Sequence, residues 1–174
     1  MASCLLADYG ADVIRVAMPG DEGLPWQPFI GGTSRSFAEE TINRNKRSVA
    51  IDLRQPEGVE AFLALVTSAD VVVENFKPGT FAGWGIGYDD CRKVKPDIVY
   101  LSVSGWGQFG PESQRPGYDP GALAHSGWMA LNGEKDGPPS KAPTFLADDL
   151  SGLHGALAVL AALRHRDATG EGQH

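Results

Sequence analysis

Residues 48–73 read SVAIDLRQPEGVEAFLALVTSADVVV, and this stretch decides the fold class. Ser48 to Leu53 is a clear strand. Gln55-Pro56-Glu57 then opens a helix that runs to about Thr67, with proline at a tolerated first-turn position. Val59, Phe62, Leu63 and Val66 form its inner face. Ala69 to Val73 is a continuous apolar strand of the kind found in parallel sheets. Working outward, Ala2 to Tyr9 reads as a short helix closed by Gly10, and Ala11 to Val16 as a strand. Residues 17–42 carry Pro19, Gly20, Gly23, Pro25, Pro28, Gly31 and Gly32, so they read as a long loop with a short helix near Phe37. Downstream, Pro78-Gly79 turns into short helical material around Phe81 and again at Tyr88 to Val94, and Ile98 to Val103 is another strand. The alternation implies an α/β fold with an open, mainly parallel sheet flanked by helices. A Gly- and Pro-rich loop (104–118), a helix from Asp119 to Met129 and a polar turn region (131–142) complete the path to the last element.

That element is FLADDLSGLHGALAVLAALRHRDATGEGQ, residues 145–173. Leu146, Leu150, Leu153, Leu157 and Leu160 recur at helical spacing. Ala156, Val159 and Leu163 widen the stripe, which predicts a helix buried on most sides. Asp148 and Asp149 fall at its start. Either is a good N-cap, and either, ionised beside free backbone amides, could serve as a nucleophile.

Composition sets outer bounds. The chain has 174 residues, 42% hydrophobic and 21% charged, as in ordinary globular domains. A net charge of −7 argues against nucleic acid as the main partner. Cys4 and Cys91 are expected to be reduced and buried, in a cytoplasmic protein. No signal peptide is visible, and no apolar run was expected to reach the roughly 20 residues of a membrane span. The four histidines do not pair with carboxylates at metal-ligand spacing, so no metal site is expected.

Gly105-Trp106-Gly107-Gln108-Phe109-Gly110 matches a dinucleotide fingerprint by letter. Pro111 and a polar run follow it where a helix is required, so the match carries no nucleotide-binding argument. Val73-Glu74-Asn75-Phe76-Lys77-Pro78-Gly79 leaves the end of a strand, the edge where open α/β sheets bind ligands. There Asn can hydrogen-bond, Phe can stack and Lys can meet a phosphate; an ordinary turn uses the same residues. Arg44, Lys46, Arg47 and Arg54 form the strongest cationic cluster. It reads as a solvated face or as a site for a nucleotide phosphate.

In order, LADYGADVIRV, NRNKRSVAIDLRQPEG, ADVVVENFKPG, SGWGQFGP, GYD and TGEGQ resemble the class III coenzyme A transferases, the family of formyl-CoA transferase and carnitine CoA-transferase. The resemblance covers nearly the whole chain. It implies a Rossmann-like large domain over residues 1–174, with the first strand and a C-terminal half carrying a small domain lying outside this sequence. It implies transfer of CoA from an acyl-CoA to a carboxylic acid through an aspartyl anhydride and an aspartyl-CoA thioester, with CoA as substrate and no permanently bound cofactor. Asp148 aligns with the family's nucleophile. Tyr118 aligns with an active-site tyrosine of the formyl-CoA transferases, and Asp119 with the acidic residue beside it. Gly152 would admit close approach of backbone or substrate. Asn75 and Phe76 match CoA contacts, and Arg54 falls where a basic residue meets the nucleotide end; Lys77 and Arg47 are further candidates. An interlocked homodimer is expected for the full-length chain, with no membrane partner.

Departures from the pattern are Ala17 where Glu is usual, the missing Arg after Gly20-Asp21, and Gly83 at a basic position. The related α-methylacyl-CoA racemases carry His at the Tyr118 position, which disfavours racemisation here. A non-catalytic CoA-binding or oligomerisation module is the remaining alternative.

Overall fold

A computed structural model describes residues 1–21 and 28–174. Gly23 and Pro25 of the long loop therefore lie outside the described residues. Four short strands and eight helices alternate along the described chain. β1 (Val13–Ala17) pairs in parallel with β2 (Lys46–Ala50), and β3 (Val71–Glu74) with β4 (Val99–Ser102). The expected parallel arrangement is thus present, and the described strands form two hydrogen-bonded pairs. β2 starts at Lys46, two residues before the expected strand. Its partner decides this: Val13 registers on Lys46 and Ala17 on Ala50, and the Ile51 N–H extends the ladder to the Ala17 carbonyl at 2.8 Å. Asn45, at φ 61°, makes the left-handed turn into the strand, a conformation Asn tolerates better than most residues.

Parallel neighbours need a crossover. Between β3 and β4 it is made by α4 (Thr80–Gly83) and α5 (Tyr88–Val94). Together with α3 (Pro56–Val66) they close the main core, in which Phe62, Val66, Val72, Phe81, Ile86, Cys91, Ile98 and Tyr100 are buried. Phe62 meets Phe81 edge to face at 6.1 Å. The Tyr100 hydroxyl donates to the Ile86 carbonyl at 3.3 Å, so its polar end is satisfied inside this core. Both cysteines are buried and free, and burial pushes the Cys91 thiol up to about 11.

The short helix near Phe37 is α2 (Phe37–Asn43), started by the Ser36 hydroxyl accepting from the Glu39 N–H at 3.0 Å. The single helix expected from Asp119 to Met129 is instead two, α6 (Asp119–His125) and α7 (Trp128–Leu131). Gly127, at φ 78°, breaks them apart with a left-handed turn that an α-helix cannot contain.

The last helix, α8 (Leu146–Thr169), corrects two expectations. Its buried face carries Gly152, Gly155, Ala156 and Val159. The leucines lie roughly 130° around the helix from these small residues. Leu150, Leu153, Leu157 and Leu160 are 43–57% exposed. Small residues win the inner face because α8 lies very close to α1 (Ala2–Asp8): a Cβ on Gly152 would sit 2.4 Å from the Met1 Cβ. In addition, α8 is long and apolar enough to cross a bilayer by length and composition, contrary to the sequence reading. Its small-residue face packs against α1, α6 and β4.

Candidate functional site

Loops leaving the C-terminal ends of the strands build the site. Glu74 ends β3 as a buried acid, and its Oε2 accepts from the Phe76 N–H at 2.7 Å. The Val103 N–H donates to the Glu74 carbonyl at 2.9 Å, so the turn is tied to β4 as well. Phe76 is thereby held half out of the core, against Phe81 at 5.0 Å and Trp84 at 5.6 Å. Asn75 and Lys77 flank it, both exposed. This is a braced aromatic platform between an amide and a cation, able to stack a flat ring and meet an anion. Arg54 lies beyond the end of β2, clamped by Asp52 at 2.8 and 2.9 Å; the guanidinium holds the Asp52 carboxyl below its usual range.

Arg47 goes elsewhere. It sits near the N-terminal end of β2, paired with Asp12 at 2.6 Å. From there to the last residue of β2 is roughly 10 Å of extended chain, away from the Asn75 turn's kind of strand end. Around it lies a cavity of about 370 Å³, lined by Arg15, Arg35, Arg44 and Lys46 among others. Its arginines are matched locally: Arg15 meets Asp21 and Glu39, Arg35 meets Glu40, and Arg44 meets Asp8, while Lys46 donates to the Asn43 Oδ1 at 2.8 Å. The structure does not bring Arg47 together with Asn75, Phe76 and Lys77. The basic cluster read from sequence is two groups at opposite ends of one strand, because a strand separates residues that adjoin in sequence.

After β4, residues 105–117 form a loop pinched at its base. Gly105 and Gly117 approach so closely that a Cβ on either would lie 2.3 Å from the other's Cα. The Trp106 indole donates to the Pro116 carbonyl at 3.1 Å, and Arg115 stacks over its ring at 5.3 Å. The pinch delivers Tyr118 and Asp119 to the start of α6. Tyr118 points out, 77% exposed, while Asp119 is 3% exposed. Asp119 reaches α8: its Oδ1 accepts from the Ala147 N–H at 2.7 Å. Its Oδ2 is buried with no hydrogen-bond partner among the described residues.

Neither Asp148 nor Asp149 is the N-cap. Phe145 occupies that position and offers no side-chain acceptor. Asp148 is the third residue of α8 and Asp149 the fourth, whose N–H already bonds the Phe145 carbonyl at 2.9 Å. Asp119, 28 residues upstream, does the capping. Sequence reasoning placed Asp119 in the site and missed this role, since capping across elements leaves no local spacing. Asp148 is exposed. Partial desolvation, then the charges of Asp119 and Asp149, raise its carboxyl above the usual carboxylate range, against a smaller opposite effect of the Met1 amino group. A carboxylate of raised proton affinity, next to first-turn amides without intrahelical acceptors, has the chemistry that a nucleophile with oxyanion support requires. Gly152 lies one turn on, and the neighbour it admits is α1.

The profile of CoA-transferase family III matches residues 1–174. The chain belongs to CoA-transferase family III. It is 43% identical to a succinate–glutarate CoA-transferase of Agrobacterium fabrum, over 99% of this chain and 45% of that one. It is 40% identical to the human succinyl-CoA:glutarate CoA-transferase, over 98% of this chain and 39% of that one. A crystal structure of a CAIB/BAIF family protein from Brucella suis superposes with a TM-score of 0.92 at 40% identity, covering 99% of this chain and 47% of that chain. The chain thus spans less than half the length of these relatives.

Proposed function

We propose that the full-length protein transfers coenzyme A from an acyl-CoA to a carboxylic acid, with Asp148 as nucleophile. The observation that carries this is Asp148 on the first turn of α8, with a raised carboxyl and helix-start amides beside it. An Asp148 carboxylate oxygen attacks the thioester carbonyl, and the C–S bond breaks to release CoA thiolate and leave a mixed anhydride. The thiolate attacks the aspartyl carbonyl and expels the donor acid as its carboxylate, leaving an aspartyl-CoA thioester. The acceptor carboxylate attacks that thioester, and the released thiolate takes the new acyl group from the second anhydride. Each tetrahedral intermediate carries an oxyanion, and the Leu146 and Asp148 amides of the first turn support its stabilisation.

CoA lies across the Asn75–Phe76–Lys77 platform, with its adenine on Phe76 and phosphates toward Lys77 and Arg54. Tyr118 and Asp119 flank the reacting carbonyl from the loop side. Relatives named for succinate, glutarate and malate support dicarboxylic donor and acceptor acids. The exposed leucines of α8 are suited to burial in an interlocked homodimer, and a cytoplasmic location belongs to the same reading. Tyr118 supplies no imidazole, so nothing favours racemisation. The test is incubation of the full-length protein with succinyl-CoA and glutarate. Glutaryl-CoA with equimolar succinate is expected; hydrolysis alone, or exchange of the α-proton without an acceptor acid, would contradict the proposal.

A further inference from the structure

We propose that Lys46 is an acylation site: its side-chain amine, in the cavity at the N-terminal end of β1 and β2, takes an acyl group directly from an acyl-CoA thioester. Lys46 opens β2 and lines the cavity of about 370 Å³ with Arg15, Arg35, Arg44 and Arg47, a space that admits a short acyl chain. Each of those arginines holds a carboxylate. Lys46 does not. Its Nζ donates to the neutral Asn43 Oδ1 at 2.8 Å, and it makes no ion pair among the described residues. A hydrogen bond to Asn43 alone does not call for an ammonium. A hydroxyl or amide donor would make it without the cost of desolvating a charge.

The surroundings favour the free amine, which is the form that reacts. Half-burial strips water from the ammonium, and Arg15 from β1 and Arg44 from the end of α2 repel it. Cys4 of α1 and Glu39 of α2 act in the opposite sense, and the Met1 amino group ahead of α1 is a further cation within reach. Burial leads, and Lys46 is held below the usual lysine range. Desolvation beside other cations is how a lysine becomes a nucleophile. The remaining lysines sit differently. Lys93 and Lys95 are paired with Asp90 and Asp97, and Lys141 donates to the Ala142 carbonyl at 3.0 Å. Lys77 and Lys135 are exposed. The neighbouring thiol of Cys4 is fully buried, so it does not compete. In the reaction the Lys46 nitrogen attacks the thioester carbonyl carbon, the C–S bond breaks and CoA leaves as its thiolate. The proton shed by the nitrogen passes through solvent to that thiolate. An amide and free CoA result, with nothing oxidised or reduced.

The test incubates full-length protein with succinyl-CoA and no acceptor acid at mildly alkaline pH, then treats it with hydroxylamine and maps the peptides by mass spectrometry. Hydroxylamine strips acyl groups from carboxylates and thiols and leaves amides. Lys46 is expected to be succinylated about ten times faster than Lys77 or Lys135. Its rate should level off at a lower pH than that of a short lysine peptide in the same solution. Arg15→Gln removes a repelling cation and should slow labelling of Lys46 about threefold. Labelling of Lys46 no faster than of Lys77 and Lys135 overturns the proposal, and needs no variant to fold. An unchanged Lys46 rate in Arg15→Gln overturns it too. The site stands apart from Asp148: Lys46 labelled in a protein that transfers no CoA sinks the proposed reaction and leaves the site standing. CoA transfer with Lys46 unlabelled does the reverse.

Discussion

The two ends of the strands use charge in opposite ways. At the N-terminal end of β1 and β2, Arg15, Arg35, Arg44 and Arg47 each meet a carboxylate within 3.3 Å, around the cavity of about 370 Å³. At the C-terminal end of β3, Lys77 is exposed and outside the ion pairs of the described residues, beside a platform braced by Glu74. Cation density favours the first region; unspent charge and pre-set geometry favour the second. A ligand phosphate entering the first would have to displace carboxylates already paired there. The second offers Lys77, which has no such partner to give up, beside Arg54, which is held by Asp52. On the proposed function, the available charge of Lys77 matters more than the larger number of cations at the other end.

The comparison extends to the acids. Asp8 and Asp12 pair with arginines, and Arg44 draws the Asp8 carboxyl below its usual range. Asp148 faces Asp119 and Asp149 instead and is raised. In full-length protein, Asp148→Ala should therefore reduce CoA transfer by roughly a thousandfold or more, the scale expected when a covalent nucleophile is lost. Residual activity within tenfold of the parent would remove the distinction between this acid and the others.

Next in size is the core beneath the platform. Phe62 is 7% exposed and packed on Phe81, so Phe62→Ala should lower unfolding stability by about 3–5 kcal/mol in denaturant titrations. The cation contrast can be broken by a matched pair. Lys77→Ala should raise the KM for acyl-CoA about tenfold, as loss of a phosphate contact does. Arg47→Ala should leave it unchanged and shift stability by under about 1 kcal/mol, as for exposed ion pairs. Equal effects on KM would return Arg47 to the coenzyme site. Smallest is Asp148→Asn. Asp148 carries a raised carboxyl, so its ionised form opposes folding once pH exceeds the ordinary carboxylate value, and fully above the raised one. The Asn variant should melt slightly higher at neutral pH. That gain should vanish as the pH falls through the carboxylate range, where Asp148 is protonated in both the folded and unfolded states.

Much of this arrangement is legible in sequence because it is written in local patterns. The strand at Ala69 to Val73 and the helix opening at Pro56 follow from apolar run and proline placement, and both fall within two residues of expectation. The ordered motifs brought Asn75, Phe76, Tyr118, Asp119 and Asp148 forward together. What stayed hidden depends on partners distant along the chain. Leucine periodicity marks a helix, yet the face that turns inward was settled by how near Met1 and Ala2 approach Gly152. Two aspartates at a helix start suggest a cap, yet the cap came from α6. Basic residues close in sequence suggest one patch, yet β2 lies between Arg47 and Arg54. A signal for Glu74 was present in the acid ending the VVVE strand, where burial demands a donor and the turn amide of Phe76 supplies it.

The most direct test of the central claim is to trap the intermediate. Full-length protein is incubated with succinyl-CoA and quenched with hydroxylamine, and the modified residue is located by peptide mass spectrometry. Attack by the Asp148 carboxylate predicts an aspartyl hydroxamate at Asp148, absent when acyl-CoA is omitted. A hydroxamate at Asp149 or Asp119, or none in a protein that transfers CoA, would contradict it.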